Sequence, residues 1–168
     1  TGIVKGPFSY DKISHKWEKD EETGTNVYNP KSKLVPKIEA VSCWDFYPDP
    51  DAVTVDDADY IIERHNYTKT QVRDLMNRPF FRANAVRDCI SMGPNYEARG
   101  YESSLLDRET TDEFDKNRYE ILEFWGTMDT QLAMEAGLEL DDDMDLLDEV
   151  QINCWVCNGN IIRLVLNP

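Results

Sequence analysis

Residues 152–166, INCWVCNGNIIRLVL, place two apolar stretches on either side of Asn158-Gly159. Asn-Gly is the preferred pair for a two-residue type I′ turn, because both positions need positive φ. The stretch therefore predicts a β-hairpin in which residue 157 pairs with 160, 155 with 162 and 153 with 164. Because side chains alternate across a strand, we expect Cys154 and Cys157 on opposite faces, unable to bridge or to share a metal ion.

The Cys154–Cys157 spacing is also typical of a zinc knuckle or a redox pair. Structural zinc needs four ligands, and the sequence has no second CxxC. The other candidate ligands are single residues: Cys43, Cys89, His15 and His65. A thioredoxin-like pair would lie at a helix N-terminus, whereas strand-like residues flank this one. We expect Cys43 and Cys89 to be buried small apolar residues. A metal-binding or redox module that uses Cys154 and Cys157 stays as an alternative.

The remaining hydrophobic patterns mix strands and short helices without regular βαβ alternation, which predicts an α+β fold of antiparallel hairpins or meanders. We expect residues 1–168 to form a single compact domain. The predicted elements are a hairpin or meander over 2–28, a loop over 29–36, strands over 38–45, 58–67 and 118–128, helices over 68–76, 83–92 and 129–136, and long loops near 94–117 and 138–149.

Two local signals position the predicted helices. Thr68 and Gln71 have the spacing of a capping box, in which each side chain bonds the other residue's backbone amide. Gly93-Pro94 and Gly137 follow the second and third helices, where a C-terminal glycine is expected.

The segment WDFYPDPDA, residues 44–52, predicts a strand end followed by an aspartate-proline turn. Trp44 and Phe46 are expected to anchor the strand end as aromatic side chains. The strand stops at Pro48, and Asp49 with Pro50 forms the turn, because proline removes a ladder donor and restricts the preceding residue. We interpret these residues as a folding motif.

The charge excludes several classes of function. The chain has 33 acidic and 18 basic residues, a net charge of −15, which repels phosphate backbones and argues against sequence-specific nucleic-acid binding. The sequence contains no membrane-length apolar run, signal segment, phosphate-binding glycine motif or nucleophilic triad, so we expect no cofactor and no membrane contact. A metal-dependent hydrolase with paired carboxylates is the least supported alternative, because nothing in the sequence selects a pair among the 33 acidic residues. Four unevenly spaced cysteines favour a reducing cytosol, and an adaptor for basic proteins is a further alternative. The ends of the sequence suggest a piece of a longer protein.

Four segments in this order resemble the portal proteins of tailed bacteriophages, in a podovirus-like or prophage form. They are TGIVKGPF (1–8), VSCWDFYPDPDAVTVDDADYIIERHNYTKTQVRDL (41–75), YEILEFWG (119–126) and INCWVCNGNIIRLVLNP (152–168). The most specific piece runs from WDFYPDPDA into ADYIIERHNYTKTQVRDL, and the closing hairpin with IIRLVLNP is the second match. Together the four segments contain 68 of the 168 residues.

The resemblance implies a structural virion protein without catalytic residues. Portal subunits form a dodecameric head-to-tail connector at one capsid vertex, through which DNA is packaged and ejected. Partners implied by the family are other portal subunits, terminase, scaffolding or capsid proteins and tail adaptors. The implied locations are the virion and, during assembly, the bacterial cytoplasm. This chain would correspond to the α+β wing of the subunit.

Overall fold

A computed structural model of the chain describes residues 2–19, 25–97, 117–140 and 147–167. Strands account for 51% of the structure and the α-helices are short, so the predicted α+β class with antiparallel sheets is confirmed. The strands are β1 (Ile3–Ser14), β2 (Trp17–Lys19), β3 (Asn26–Tyr28), β4 (Lys31–Val41), β5 (Phe46–Pro48), β6 (Tyr60–Thr68), β7 (Arg118–Asp129), β8 (Glu149–Cys157) and β9 (Asn160–Leu166). The helices are α1 (Lys69–Leu75), α2 (Ala83–Met92) and α3 (Thr130–Glu135), with a 3-10 turn at Val55–Asp57.

The chain divides into two compact units. We call Thr1–Cys43 the ribbon and Trp44–Pro168 the sheet unit. That residues 1–168 form a single domain stays a prediction.

The ribbon is built on β1 and β4, which pair antiparallel from Ile3 opposite Val41 to Ser14 opposite Lys31. The short strands β2 and β3 lie between β1 and β4 in the sequence and pair with each other. The predicted loop over 29–36 is therefore wrong, and the partner of β1 lies outside 2–28. Pro36 fits within β4 because, among the described residues, this strand pairs on one side only, and proline is tolerated on such an edge.

The sheet unit is a five-stranded antiparallel sheet in the sequential order β5-β6-β7-β8-β9. Both faces of this sheet are covered. On one face, α1 and α2 pack against a buried cluster that includes Tyr119, Ile121 and Cys157. On the other face, α3 and the segment after it pack against a cluster that includes Ile152, Cys154 and Leu164. Covering both faces explains why four successive residues of β8, from Ile152 to Trp155, are all buried.

The capping residues predicted from the sequence lie at the ends of the observed helices. Gln71 N donates to Thr68 Oγ1 at 3.4 Å and Thr68 N donates to Gln71 Oε1 at 2.8 Å, so the predicted capping box is confirmed. The helix α2 has the predicted bounds, and Gly93 follows it with a φ of 93°. Asp129 caps α3 through a hydrogen bond from Leu132 N of 3.0 Å.

Two predicted strand details are corrected. The strand predicted over 38–45 ends at Val41, and a turn separates it from β5, which includes Pro48. Asn158 and Gly159 have φ values of 50° and 75°, as the predicted turn requires, and Cys157 pairs with Asn160. Beyond the turn, however, a bulge pairs Trp155 with Arg163 rather than with residue 162, and 153 with 165 rather than with 164. The extra residue, Ile162, joins the cluster under α1 and α2.

The predicted long loops fall largely outside the described residues. Positions 98–116 and 141–146 are not described. Of the remainder, Leu138 is buried and Leu140 packs beside it in the cluster under α3.

Candidate functional site: a buried histidine–carboxylate cluster

Strand pairing brings three ionisable side chains together on the face of the sheet that carries α1 and α2. Glu63 and His65 are two residues apart on β6, so they point to the same face. Glu123 on β7 is paired directly with Glu63, and directly opposite residues also share a face. One ligand atom from each of the three side chains lies within 4.8 Å of the other two.

The imidazole of His65 lies between the two carboxylates. Its Nε2 is 2.8 Å from Glu123 Oε2, and its Nδ1 is 3.7 Å from Glu63 Oε1. Its ring also stacks on the indole of Trp155, with centroids 4.9 Å apart and planes 14° from parallel. The ring is therefore held at its edge by the carboxylates and on its face by the indole.

A second layer of hydrogen bonds holds Glu123 in place. Asn153 Nδ2 donates to Glu123 Oε1 at 3.0 Å, and Trp155 Nε1 donates to Asn153 Oδ1 at 3.1 Å. We call Glu63, His65, Glu123, Asn153 and Trp155 the His65 cluster. Because both oxygens of Glu123 have polar partners, its buried carboxylate is compensated rather than isolated.

The electrostatics of the cluster are dominated by burial. Glu123 is 1% exposed and lies directly across from a second carboxylate, an arrangement that is unfavourable without compensating positive charge. Arg163 on β9 supplies part of it. Burial lowers the pKa of Arg163, and the negative charge of Glu123 opposes that shift. The guanidinium of Arg163 also lies over the Phe81 ring, 5.5 Å from its centroid.

The cysteines are arranged partly as predicted. Cys154 packs in the cluster under α3 and Cys157 in the cluster under α1 and α2, so the two are on opposite faces, as expected. Cys157 is joined to Cys89 by a disulfide, a pairing that the sequence analysis missed. Cys89 is buried, but Cys43 is exposed, so its predicted burial is wrong.

The WDFYPDPDA motif folds around two acidic residues, Asp45 and Asp49. Asp49 was predicted only as part of the turn, and no role was predicted for Asp45. Asp45 Oδ1 accepts from Arg64 Nε and Nη2, each at 2.8 Å. The carboxylate of Asp49 accepts from the amides of Asp51 at 2.9 Å and Asp59 at 3.3 Å. These bonds close the 49–59 loop back onto the start of β6.

The aromatic and proline residues of the motif are less enclosed. Phe46 is partly buried, whereas Trp44 is 49% exposed. Pro48 is paired with Ile61, and Pro50 lies in the turn that follows. The turn pair Asn158-Gly159 reaches back to α2, where Asn158 Nδ2 donates to the carbonyls of Cys89 at 3.2 Å and Gly93 at 3.0 Å.

The His65 cluster was not predicted, because it depends on the register between β6 and β7. The available signal was IERH, in which Glu63 and His65 alternate with Arg64 in a strand-like stretch. A second strand with a glutamate among apolar residues, ILEFW, contains Glu123. Only the pairing of the two strands turns these separate residues into a cluster.

The chain matches no protein-family model and no curated protein. Within the part of the chain that the structure describes, no helix is long and apolar enough to cross a membrane.

Proposed function

We propose that this chain is a structural part of a bacteriophage portal ring, corresponding to the wing of the subunit, and that it works by assembling with other copies of itself rather than by catalysis. Terminase, scaffolding or capsid proteins and tail adaptors would be further partners of the complete ring. The proposal rests on the sequence resemblance and, in the structure, on the ribbon.

The observation that carries the assembly proposal is the apolar face of the ribbon. Directly opposite residues share a face, and the pairs Val4–Ala40, Ser9–Pro36 and Ile13–Ser32 define one of the two. Four apolar side chains on this face are each more than half exposed: Val4 (65%), Ile13 (57%), Leu34 (63%) and Ile38 (64%). We call these four residues the apolar strip.

The opposite face of the ribbon carries the positive charge. All five lysines of β1 and β4 alternate onto it: Lys5, Lys12, Lys31, Lys33 and Lys37. These two strands contain only two acidic residues, Asp11 and Glu39. Lys37 pairs with Glu39 and lies over the Phe8 ring, 5.8 Å from its centroid.

A two-stranded ribbon of this kind is marginally stable alone in water. Burying each exposed aliphatic side chain of the apolar strip would contribute about 1.5–3 kcal/mol. Aliphatic side chains gain nothing from phosphates, so the strip favours a protein partner over a nucleic acid. Assembly would therefore supply the apolar burial that a two-stranded ribbon lacks.

Charge favours a second copy of the chain as that partner. Residues 44–168 contain 27 acidic and 11 basic residues, whereas the long strands of the ribbon are basic. Opposite charges on the two surfaces favour docking and orient the partners. The lysine face of the ribbon would contact the acidic sheet unit of a neighbouring copy. The apolar strip on the opposite face then needs a second protein contact, which a closed ring provides.

The region with the strongest resemblance has a geometry suited to a structural role. The salt bridge between Asp45 and Arg64 ties the WDFYPDPDA segment to β6, and β6 leads directly into the capped helix α1. Cys154 and Cys157 face opposite sides of the sheet, which favours a structural role over a metal-binding or redox module that uses both thiols.

Electron microscopy of the full-length protein that contains this chain tests the proposal. We expect rings with a central channel. Monomers that bind basic proteins in a salt-sensitive manner would instead favour the acidic adaptor. Monomers without such binding would reject both functions.

A further inference from the structure

We infer that the His65 cluster binds one divalent transition-metal ion, with Glu63, His65 and Glu123 as the protein ligands. This inference does not depend on the proposed portal function, because it rests only on the geometry of the sheet unit.

The ligand atoms already converge. Glu63 and Glu123 are a directly opposed pair on adjacent strands, and His65 follows Glu63 on the same face. Their ligand atoms lie within 4.8 Å of one another, so small side-chain rotations bring them to the bond lengths of about 2.0–2.2 Å that zinc makes with imidazole and carboxylate. Because all three residues lie within paired strands, their backbones are held rigidly.

The negative charge of the two carboxylates also favours binding of a cation. Two carboxylates face each other, and one of them, Glu123, is 1% exposed. Arg163 lies on β9, two strands away from β7 on the side opposite β6. The proposed ion lies instead between Glu63, His65 and Glu123. A divalent ion there neutralises both carboxylates at once.

The surroundings match those of metal sites. Ligating carboxylates are usually held by outer hydrogen bonds, and Asn153 holds the distal oxygen of Glu123, while Trp155 orients Asn153. The side chains of Glu63 and His65 remain 14% and 15% exposed, which gives an ion a route from solvent and leaves room for a water ligand.

The donor set selects the class of ion. Imidazole suits zinc and its transition-metal neighbours, whereas calcium and magnesium prefer oxygen ligands only. One histidine and two carboxylates with an open position resemble the three-ligand arrangement of non-structural zinc sites. We therefore expect zinc to bind and calcium and magnesium to compete poorly.

The test is isothermal titration calorimetry of the metal-stripped full chain with zinc chloride, in the presence of excess magnesium. We expect one zinc ion per chain. Because loss of even an outer-shell partner costs about 10–100-fold in metal affinity, Glu63→Gln and His65→Gln should each weaken binding at least tenfold. His15→Gln removes the other histidine of the chain and should leave the affinity unchanged.

A second readout separates this site from adventitious binding at thiols. The cobalt-substituted chain should show visible ligand-field bands without a thiolate charge-transfer band, and Cys43→Ser should not alter them. Circular dichroism checks that each variant is folded. If His65→Gln unfolds the chain, Glu63→Gln decides the question, since glutamine keeps the size of the side chain and removes only its charge. Absence of zinc binding, or equal affinity in Glu63→Gln and wild type, would overturn the inference.

Discussion

Cys89 on α2 and Cys157 at the end of β8 are joined by a disulfide that spans 68 residues of sequence. The bond fastens the helical layer to the sheet at the point where the Asn158 side chain also contacts α2.

A crosslink across a loop of this length typically stabilises a folded chain by about 2–4 kcal/mol. The double variant Cys89→Ala/Cys157→Ala should therefore unfold at lower denaturant concentration by that amount, measured by urea titration. Cys43→Ala serves as the control. If reductant leaves the wild-type midpoint unchanged, the two sulfurs are thiols in solution.

The two unpaired cysteines of the structure should differ sharply in reactivity. Cys43 is exposed and Cys154 is buried. Burial raises the pKa of the Cys154 thiol, and the positive charge of Arg82 opposes this shift only in part. Because the thiolate is the reactive form, a disulfide reagent at pH 8 should modify Cys43 rapidly and Cys154 only after unfolding. Rapid modification of both in the folded chain, read by mass spectrometry, would contradict this.

The same shift predicts a pH dependence of stability. In the unfolded chain the Cys154 thiol ionises near its ordinary pKa of about 8.5, whereas in the folded chain it ionises only at higher pH. The contribution of the buried, neutral thiol to the free energy of unfolding is thus fully present below about pH 8.5, and it is lost as the pH rises through the higher pKa of the folded chain. Cys154→Ala should reduce the loss of unfolding free energy between neutral and alkaline pH. Parallel pH profiles of wild type and variant would refute the burial effect.

Gly126 should not tolerate a side chain. A Cβ atom there would lie 2.8 Å from both the Asp59 carbonyl oxygen and Tyr60 Cβ, and 2.9 Å from Phe124 Cζ. The stacked rings of Tyr60 and Phe124 flank this position, with centroids 6.0 Å apart. Because the neighbouring strand must shift, Gly126→Ala should lower the free energy of unfolding by about 1–3 kcal/mol. Gly2→Ala, with no atom within 4 Å of the new Cβ, is the matched control in thermal melts.

Loss of the α1 cap should have a moderate, specific cost. Thr68→Ala removes the acceptor for the Gln71 amide and should cost about 0.5–2 kcal/mol. Thr68→Ser keeps the hydroxyl and should retain most of the stability. Equal losses for alanine and serine, compared by chemical denaturation, would show that the threonine methyl group rather than the cap is responsible.

The apolar strip should control assembly without affecting the sheet unit. Leu34→Ser and Ile38→Ser each remove about 1.5–3 kcal/mol of burial from the proposed contact, which corresponds to roughly a tenfold or greater loss of affinity. Sedimentation velocity of the full-length protein should show smaller species at any salt concentration. Lys12→Ser, on the opposite face, should instead alter the salt dependence. Normal rings from the Leu34→Ser/Ile38→Ser double variant would exclude the strip as an assembly surface.

The sequence was most informative where a few adjacent residues determine a conformation. The Asn158-Gly159 turn and the Thr68–Gln71 capping box are set by backbone geometry within two to four residues, so each could be predicted with its partners. The bounds of α2 followed from its apolar spacing and from Gly93. The opposite orientation of Cys154 and Cys157 followed from strand alternation alone.

The errors concern contacts between distant segments. No residue near Ile3 indicates that it pairs with Val41. Pro36 made the sequence of β4 look like a loop, because proline is rare inside strands. The bulge at Ile162, after the turn, shifted the β8–β9 register, and Ile162 packs in the cluster under α1 and α2. The His65 cluster and the Cys89–Cys157 bond require the packed sheet, and no local pattern specifies either.

The cross-strand position of the His65 cluster has a consequence for how the sheet is aligned. The contacts from His65 to Glu123 and from Asn153 to Glu123 join three adjacent strands, β6, β7 and β8. A slip of one residue between β6 and β7 would turn Glu63 and His65 to the other face, away from Asn153 and Trp155, which complete the cluster. The polar residues thus help to fix the register of these three strands, because a shifted register would lose the contacts between them.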